Sequence, residues 1–261
     1  MSGLNSRLKS QVTLFFYALS YFTRIPIPAY ITFNEKEFHK ANAYFPLVGV
    51  LIACLMSVFF YLCHLFLSLQ ISLILMLVVS LLLTGALHED GFADCCDGFG
   101  GGYNAKQRLK IMKDSQIGSY GGIALVLLLL LKYNLLLELA EIAPSTLCLS
   151  LVIAHTISRY GTLCVMQSMP YVRLEQDGKV QALSKKLPAK YFFFTSLNIL
   201  FVIFLLPVNT ILSLLLFVVV TILLLGKWFK RSLGGYTGDC LGFSQQSLEI
   251  LILIILTVLL V

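Results

Sequence analysis

Apolar runs of bilayer length alternate with short polar stretches along nearly the whole chain, and this rhythm predicts helices before any single residue is weighed. A membrane-spanning helix needs about 20 predominantly apolar residues. Runs near that size occupy 43–67, 71–87, 120–137, 145–167, 191–206, 208–226 and 248–261, the last of them short. Residues 11–23 are also apolar, but Gln11, Thr13, Ser20 and Thr23 interrupt them, and Pro26 and Pro28 follow. Proline stops helices and restricts the residue before it, so this stretch reads as an in-plane or half-inserted helix. The predicted fold class is all-α: a polytopic transmembrane helix bundle of about seven spans plus an N-terminal in-plane or half-inserted helix. No repeat or linker divides residues 1–261, which are expected to form a single integral membrane domain.

Composition strengthens this picture. The chain is 58% hydrophobic and 12% charged, where a soluble domain carries about 25% charged residues. The net charge of +6 is localised. Almost every Lys and Arg falls in 24–42, 88–119, 168–190 or 227–247, whereas 68–70 and 207–209 carry no charge and 138–144 holds only Glu138 and Glu141. The positive-inside rule places those four segments in the cytoplasm, where one active site can draw on all of them. Such a distribution speaks of membrane orientation before nucleic acid. The seven cysteines show no CxxC spacing, which suggests neither a zinc site nor a disulfide framework. Arg7 and Lys9 before an apolar stretch imitate a signal peptide, but no small-residue cleavage site follows, so the segment is expected to be retained.

Candidate chemistry begins at His88-Glu89-Asp90-Gly91-Phe92-Ala93-Asp94-Cys95-Cys96-Asp97. Asp90, Asp94 and Asp97 stand at i, i+4 and i+7 and share one helix face. Acids are favoured in a first helical turn, but three on one stripe repel, and a hard divalent cation would neutralise them. His88 is either a cap or a base. Gly98 to Gly102, including Gly100 and Gly101, offers backbone N–H groups suited to phosphate, and Arg108, Lys110 and Lys113 add cations. Asp114 enters a second glycine turn as a further candidate ligand. A third cluster, Lys227 to Gly242, contains Arg231, Gly234, Gly235, Thr237, Gly238 and Asp239 and reads as a nucleotide-phosphate contact. Arg159 lies inside a predicted span one turn after His155; ionisable groups there usually have a partner or a polar cavity.

These residues carry a resemblance. The block Gly85 to Gly98 resembles the signature of the cobalamin synthase family, the adenosylcobinamide-GDP ribazoletransferases. Thr23 to Pro28, Phe45 to Gly49, Ser158-Arg159 and Leu233 to Asp239 resemble that family's other blocks in the same order. Phe92 stands where leucine is common in the family, and Glu89 is variable there. The resemblance implies an Mg²⁺-dependent enzyme of a bacterial inner membrane that joins adenosylcobinamide-GDP to α-ribazole or its 5′-phosphate and releases GMP. Asp90, Asp94 and Asp97 would hold the metal, with Asp114 and Asp239 as additions. Arg24, Arg108, Lys110, Lys113, Arg159, Arg231 and the glycine loops would hold substrate, and His88 or a spare Asp would take the proton from the attacking hydroxyl. The lipid bilayer is an expected partner; a homo-oligomer or an association with other late cobalamin-pathway enzymes is a further candidate. Two other readings compete. Asp94-Cys95-Cys96-Asp97-Gly98 echoes CDP-alcohol phosphotransferases, without their following Ala-Arg and later paired aspartates. A divalent-cation transporter would need acids near mid-span, whereas the aligned acids here are expected at span ends.

Overall fold

The computed structural model describes residues 2–173, 183–204 and 206–260. Part of the predicted segment 168–190, and the residues 205 and 261 of two predicted spans, therefore lie outside the described residues. Among those described, the chain forms eleven α-helices and no β-strand. They are α1 (Ser2–Phe22), α2 (Glu35–Phe38), α3 (Phe45–His64), α4 (Leu69–Thr84), α5 (Leu87–Gly101), α6 (Ala105–Ile111), α7 (Ser119–Ile142), α8 (Pro144–Ser168), α9 (Ala189–Ile203), α10 (Val208–Leu233) and α11 (Gly238–Leu260). A 3₁₀ turn, His39–Tyr44, joins α2 to α3. The protein is an all-α polytopic membrane bundle.

Five helical segments are long and apolar enough to cross a bilayer: Glu35–His64, α7, α8, α10 and α11. A sixth arises if α4 and α5, bent by 87°, count as one span. Two of the seven predicted spans, 71–87 and 191–206, thus do not form helices long enough to cross by themselves. α4 has 16 residues and stops where Gly85 and Ala86 both take left-handed backbone, φ +63° and +54°. The Arg24 side chain lies over Gly85, so closely that a Cβ there would collide with it. The described α9 has 15 residues and sits between Pro188 and Pro207. Conversely, α11 starts at Gly238 rather than near 248, so its polar first turns belong to a helix and not to a loop.

α8 lies at the centre, packed on α3 and α11, and α11 packs in turn on α5. Ile52, Leu73, Leu139, Leu147, Ile153 and Leu248 are fully buried between them. The outer faces stay apolar: Leu212, Leu216, Leu223 and Leu224 of α10 are more than half exposed, a surface that suits lipid rather than water. α1 is not among the crossing helices; its Leu14, Tyr17, Ala18 and Phe22 pack into the core.

Candidate active site

The site is set by a helix crossing. A Cβ on Gly91 of α5 would come within 2.9 Å of the Asp239 Cα, and one on Gly242 of α11 within 2.9 Å of the His88 carbonyl oxygen. With only hydrogen between them the two backbones approach closely. The acidic face of α5 is thereby laid beside the first turn of α11. Asp94 faces the negative charges of Asp239 and Asp90 and the opposing charge of Arg173. Arg173 Nη2 lies 2.7 Å from Asp239 Oδ2.

Asp90, Asp239 and Arg173 line a cavity of about 230 Å³. Each of the four polar segments contributes to its wall: Asn42 from the first, His88 and Asp90 from the second, Tyr171 and Arg173 from the third, Gly238 and Asp239 from the fourth. The buried Thr237 caps α11, its Oγ1 accepting from the Cys240 amide at 3.2 Å. Because Gly238 and Asp239 line the cavity, the positive end of the α11 dipole opens into it. Burial pushes the Tyr171 phenol up to about 12, so it remains a neutral group in the wall at physiological pH. Tyr21 is also raised, first by burial and then by the charge of Asp239.

Arg173 reaches Asp239 through a short backbone pairing. The Val172 amide donates to the Tyr236 carbonyl and the Tyr236 amide to the Pro170 carbonyl, each at 3.0 Å. Gly235 makes this possible, since a Cβ there would strike the Pro170 carbonyl oxygen. Its role in the fold is this close approach. Gly234 caps α10 in left-handed backbone, φ +83°.

Several predicted site residues lie elsewhere. Both oxygens of Asp97 accept backbone N–H groups, from Gly118 at 2.7 Å and Gly121 at 2.9 Å. It caps α7, which an acid at a helix N-terminus does well. Asp114 is exposed, accepts from the Gln116 amide at 3.1 Å, and shares a shallow depression with Gly101 and Lys110. None of these four residues lines the acidic cavity. Gly100 makes room for the Tyr120 ring. Arg108 donates to the carbonyls of Gly102 and Ser232 and lies over the Phe99 ring, so it ties α6 to the ends of α5 and α10. Lys113 and Arg231 are exposed and also lie outside the cavity lining. Arg24 sits over the break between α4 and α5.

Arg159 is fully buried, with Nη1 2.9 Å from the His155 carbonyl oxygen and 3.0 Å from His155 Nδ1. It belongs to a polar network that the sequence reading missed. Lys132 of α7 pairs with Glu249 of α11 at 2.8 Å and donates to Gln246 at 2.7 Å. The Gln246 amide donates to Glu89 of α5 and to Gln245, both at 2.8 Å. Gln245 donates to Glu249 and to Ser158. All of these side chains are buried. The network joins α5, α7, α8 and α11 behind the cavity, and so locks the crossing that gathers Asp90, Asp94 and Asp239. The one available signal was the helical spacing of Gln245, Gln246 and Glu249 at the edge of an apolar run.

Fold and site together define a multi-pass membrane enzyme that sets carboxylates and an arginine in the wall of a largely apolar cavity. Residues 14–257 match the family model described as cobalamin-5-phosphate synthase, and the chain belongs to that family. Among its relatives are adenosylcobinamide-GDP ribazoletransferases of Shewanella. The protein of Shewanella frigidimarina is 41% identical over 252 residues, 96% of this chain and 95% of its own. The protein of Shewanella amazonensis is 38% identical over 255 residues, 97% and 98% of the two chains. No solved structure matches the chain.

Proposed function

We propose that this chain joins adenosylcobinamide-GDP to α-ribazole or its 5′-phosphate and releases GMP. The observation that carries the proposal is the meeting of Asp90 and Asp239 with Arg173 and the N-terminus of α11 at one cavity, with the charge of Asp94 beside them. In the reaction a ribazole hydroxyl oxygen forms a bond to the phosphorus attached to cobinamide. The bond from that phosphorus to the GMP oxygen breaks, and the hydroxyl proton is lost.

The donor set suits Mg²⁺. Three carboxyl groups gathered against one arginine repel one another when ionised, and carboxylate oxygens are the ligands that ion prefers. Among the described residues no three His, Cys, Asp or Glu side chains close into a finished shell, and Arg173 holds Asp239. Asp90, Asp94 and Asp239 would hold the ion, which when bound supplies charge neutralisation at the pyrophosphate. The remaining roles fall to the chain itself. Arg173 and the α11 N-terminus hold phosphate oxygens. Asp90 takes the hydroxyl proton: it lines the cavity, and the other lining carboxylate, Asp239, is paired with Arg173. We read this end of the bundle as the cytoplasmic one, in accord with the positive-inside rule, and the membrane as a bacterial inner membrane. That reading is supported by the convergence of all four Lys- and Arg-bearing segments on one cavity.

Purified protein in nanodiscs, given adenosylcobinamide-GDP and α-ribazole with and without Mg²⁺, should release GMP only with both substrates and the metal. GMP release that needs no α-ribazole, or none under any condition, would overturn the assignment.

A further inference from the structure

Most of the cavity wall is not charged. Phe22 stacks on Phe45 with ring centroids 4.0 Å apart, and Phe45 stacks on His88 at 5.6 Å. Leu163, Met166 and Leu183 are buried in the same wall. Three of its uncharged polar side chains are already committed to protein partners. The Asn42 amide donates to the Leu183 carbonyl at 2.8 Å, Thr162 Oγ1 to the Ser158 carbonyl at 2.9 Å, and the Tyr236 hydroxyl to the Ser184 carbonyl at 3.2 Å. His88 differs: the residue is 5% exposed, it lines the cavity, and its Nε2 has no hydrogen-bond partner.

This wall selects among the parts of the two substrates. About 230 Å³ is below the roughly 300–1,000 Å³ of pockets for drug-sized ligands, so neither a corrin ring nor a whole nucleotide fits inside. Guanine presents several donors and acceptors, and the apolar part of this wall, away from the carboxylates, would leave most of them unpaired, which is costly. A methylated benzimidazole is flat and apolar, with a single ring-nitrogen acceptor once the other nitrogen carries the sugar. One acceptor matches one free imidazole nitrogen.

We propose that the apolar wall of this cavity binds the benzimidazole base of the ribazole substrate, and that His88 Nε2–H donates to the base's unsubstituted ring nitrogen. The inference rests on the ribazole-transfer reading above and gives His88 a task in recognition, leaving proton removal to the carboxylates. The base would lie among Phe22, Phe45, Leu163 and Met166, with its sugar directed to Asp90, Asp239 and Arg173.

The test measures binding rather than turnover. Full-length protein in nanodiscs is dialysed against α-ribazole, against its indole analogue in which that ring nitrogen is CH, and separately against adenosylcobinamide-GDP. The wild type should bind the analogue about tenfold more weakly than α-ribazole, the usual scale of one hydrogen bond. His88→Phe, which keeps the stack on Phe45, should bind both equally weakly. Leu163→Phe should weaken both further by narrowing the cavity. Neither variant should change affinity for adenosylcobinamide-GDP. Equal binding of α-ribazole and the indole analogue by wild-type protein overturns the proposal even if GMP is released normally. Loss of adenosylcobinamide-GDP affinity in both variants reassigns the cavity to the nucleotide. Absence of any α-ribazole binding together with absence of GMP release brings down the reaction assignment itself.

Discussion

Replacing Lys132 by Met tests whether the buried network holds the site together. Lys132 Nζ lies 2.8 Å from Glu249 Oε1 and 2.7 Å from Gln246 Oε1, and both charged side chains are less than 8% exposed. The network carries two fixed cations, Lys132 and Arg159, against the carboxyl groups Glu249 and Glu89. Met keeps the length of the side chain and removes one cation, which leaves a buried carboxylate uncompensated. Breaking a buried pair from one side costs about 3–5 kcal/mol. At about 2–4 °C per kcal/mol for a chain of this size, the midpoint of thermal unfolding should fall by about 6–20 °C. A membrane hydrogen bond alone averages about 0.6 kcal/mol, which would lower it by only about 1–2 °C. The two magnitudes are far enough apart for a fluorescence melt in detergent to separate them. The double variant Lys132→Met with Glu249→Leu should recover most of the loss, since an apolar pair of similar volume is often neutral. A shift of 2 °C or less in the single variant, or no recovery in the double, would refute the view that this pair anchors the crossing of α5 and α11.

Two further outcomes follow from particular contacts. Asp97→Asn should lower stability by about 1 kcal/mol, the usual worth of a helix cap, and any loss of activity should be insensitive to added Mg²⁺; rescue by excess metal would restore Asp97 as a ligand. Gly235→Val should displace residues 170–172 and with them Arg173, so adenosylcobinamide-GDP affinity should fall while the melting of the bundle changes little, and unaltered affinity would remove Arg173 from phosphate binding.

The parts of the site that the sequence made visible are those that follow from one helix. Spacing alone put Asp90 and Asp94 on one face, and the same logic placed Asp97 with them. Spacing cannot tell which acid on a stripe finds a neighbouring helix start, however, and Asp97 meets the N–H groups of Gly118 and Gly121. Glycine misled for a related reason. A glycine that exposes backbone to phosphate and one that lets two backbones cross look alike in a sequence, and Gly91, Gly235 and Gly242 prove to be of the second kind. Arg173 was hidden because the positive-inside rule accounts for any cation in its segment. Lys132 and Glu249 were hidden because their partnership joins two helices far apart in the chain. The bundle itself was plain, since lipid demands long apolar runs; the left-handed Gly85 and Ala86 then broke one of the spans into α4 and α5.

The buried network also changes the case against ion transport. From the sequence, acids seemed confined to span ends, which argued for chemistry at one surface. Glu249 instead lies well inside α11, and Glu89 is buried beside it through Gln246. Position alone therefore no longer excludes a cation pathway. The state of Glu249 does so better. A transport site must offer the ion oxygens that are free in its absence, whereas Glu249 Oε1 is 2.8 Å from the Lys132 ammonium and Oε2 accepts from Gln245. An entering cation would have to displace a resident one from a setting where the loss costs several kcal/mol. Proteoliposomes loaded with a Mg²⁺-sensitive dye should accordingly show no protein-dependent influx under an inward Mg²⁺ gradient, with or without substrates. Influx that Glu249→Gln abolishes would show that the network conducts, and the structural role assigned to it here would fall.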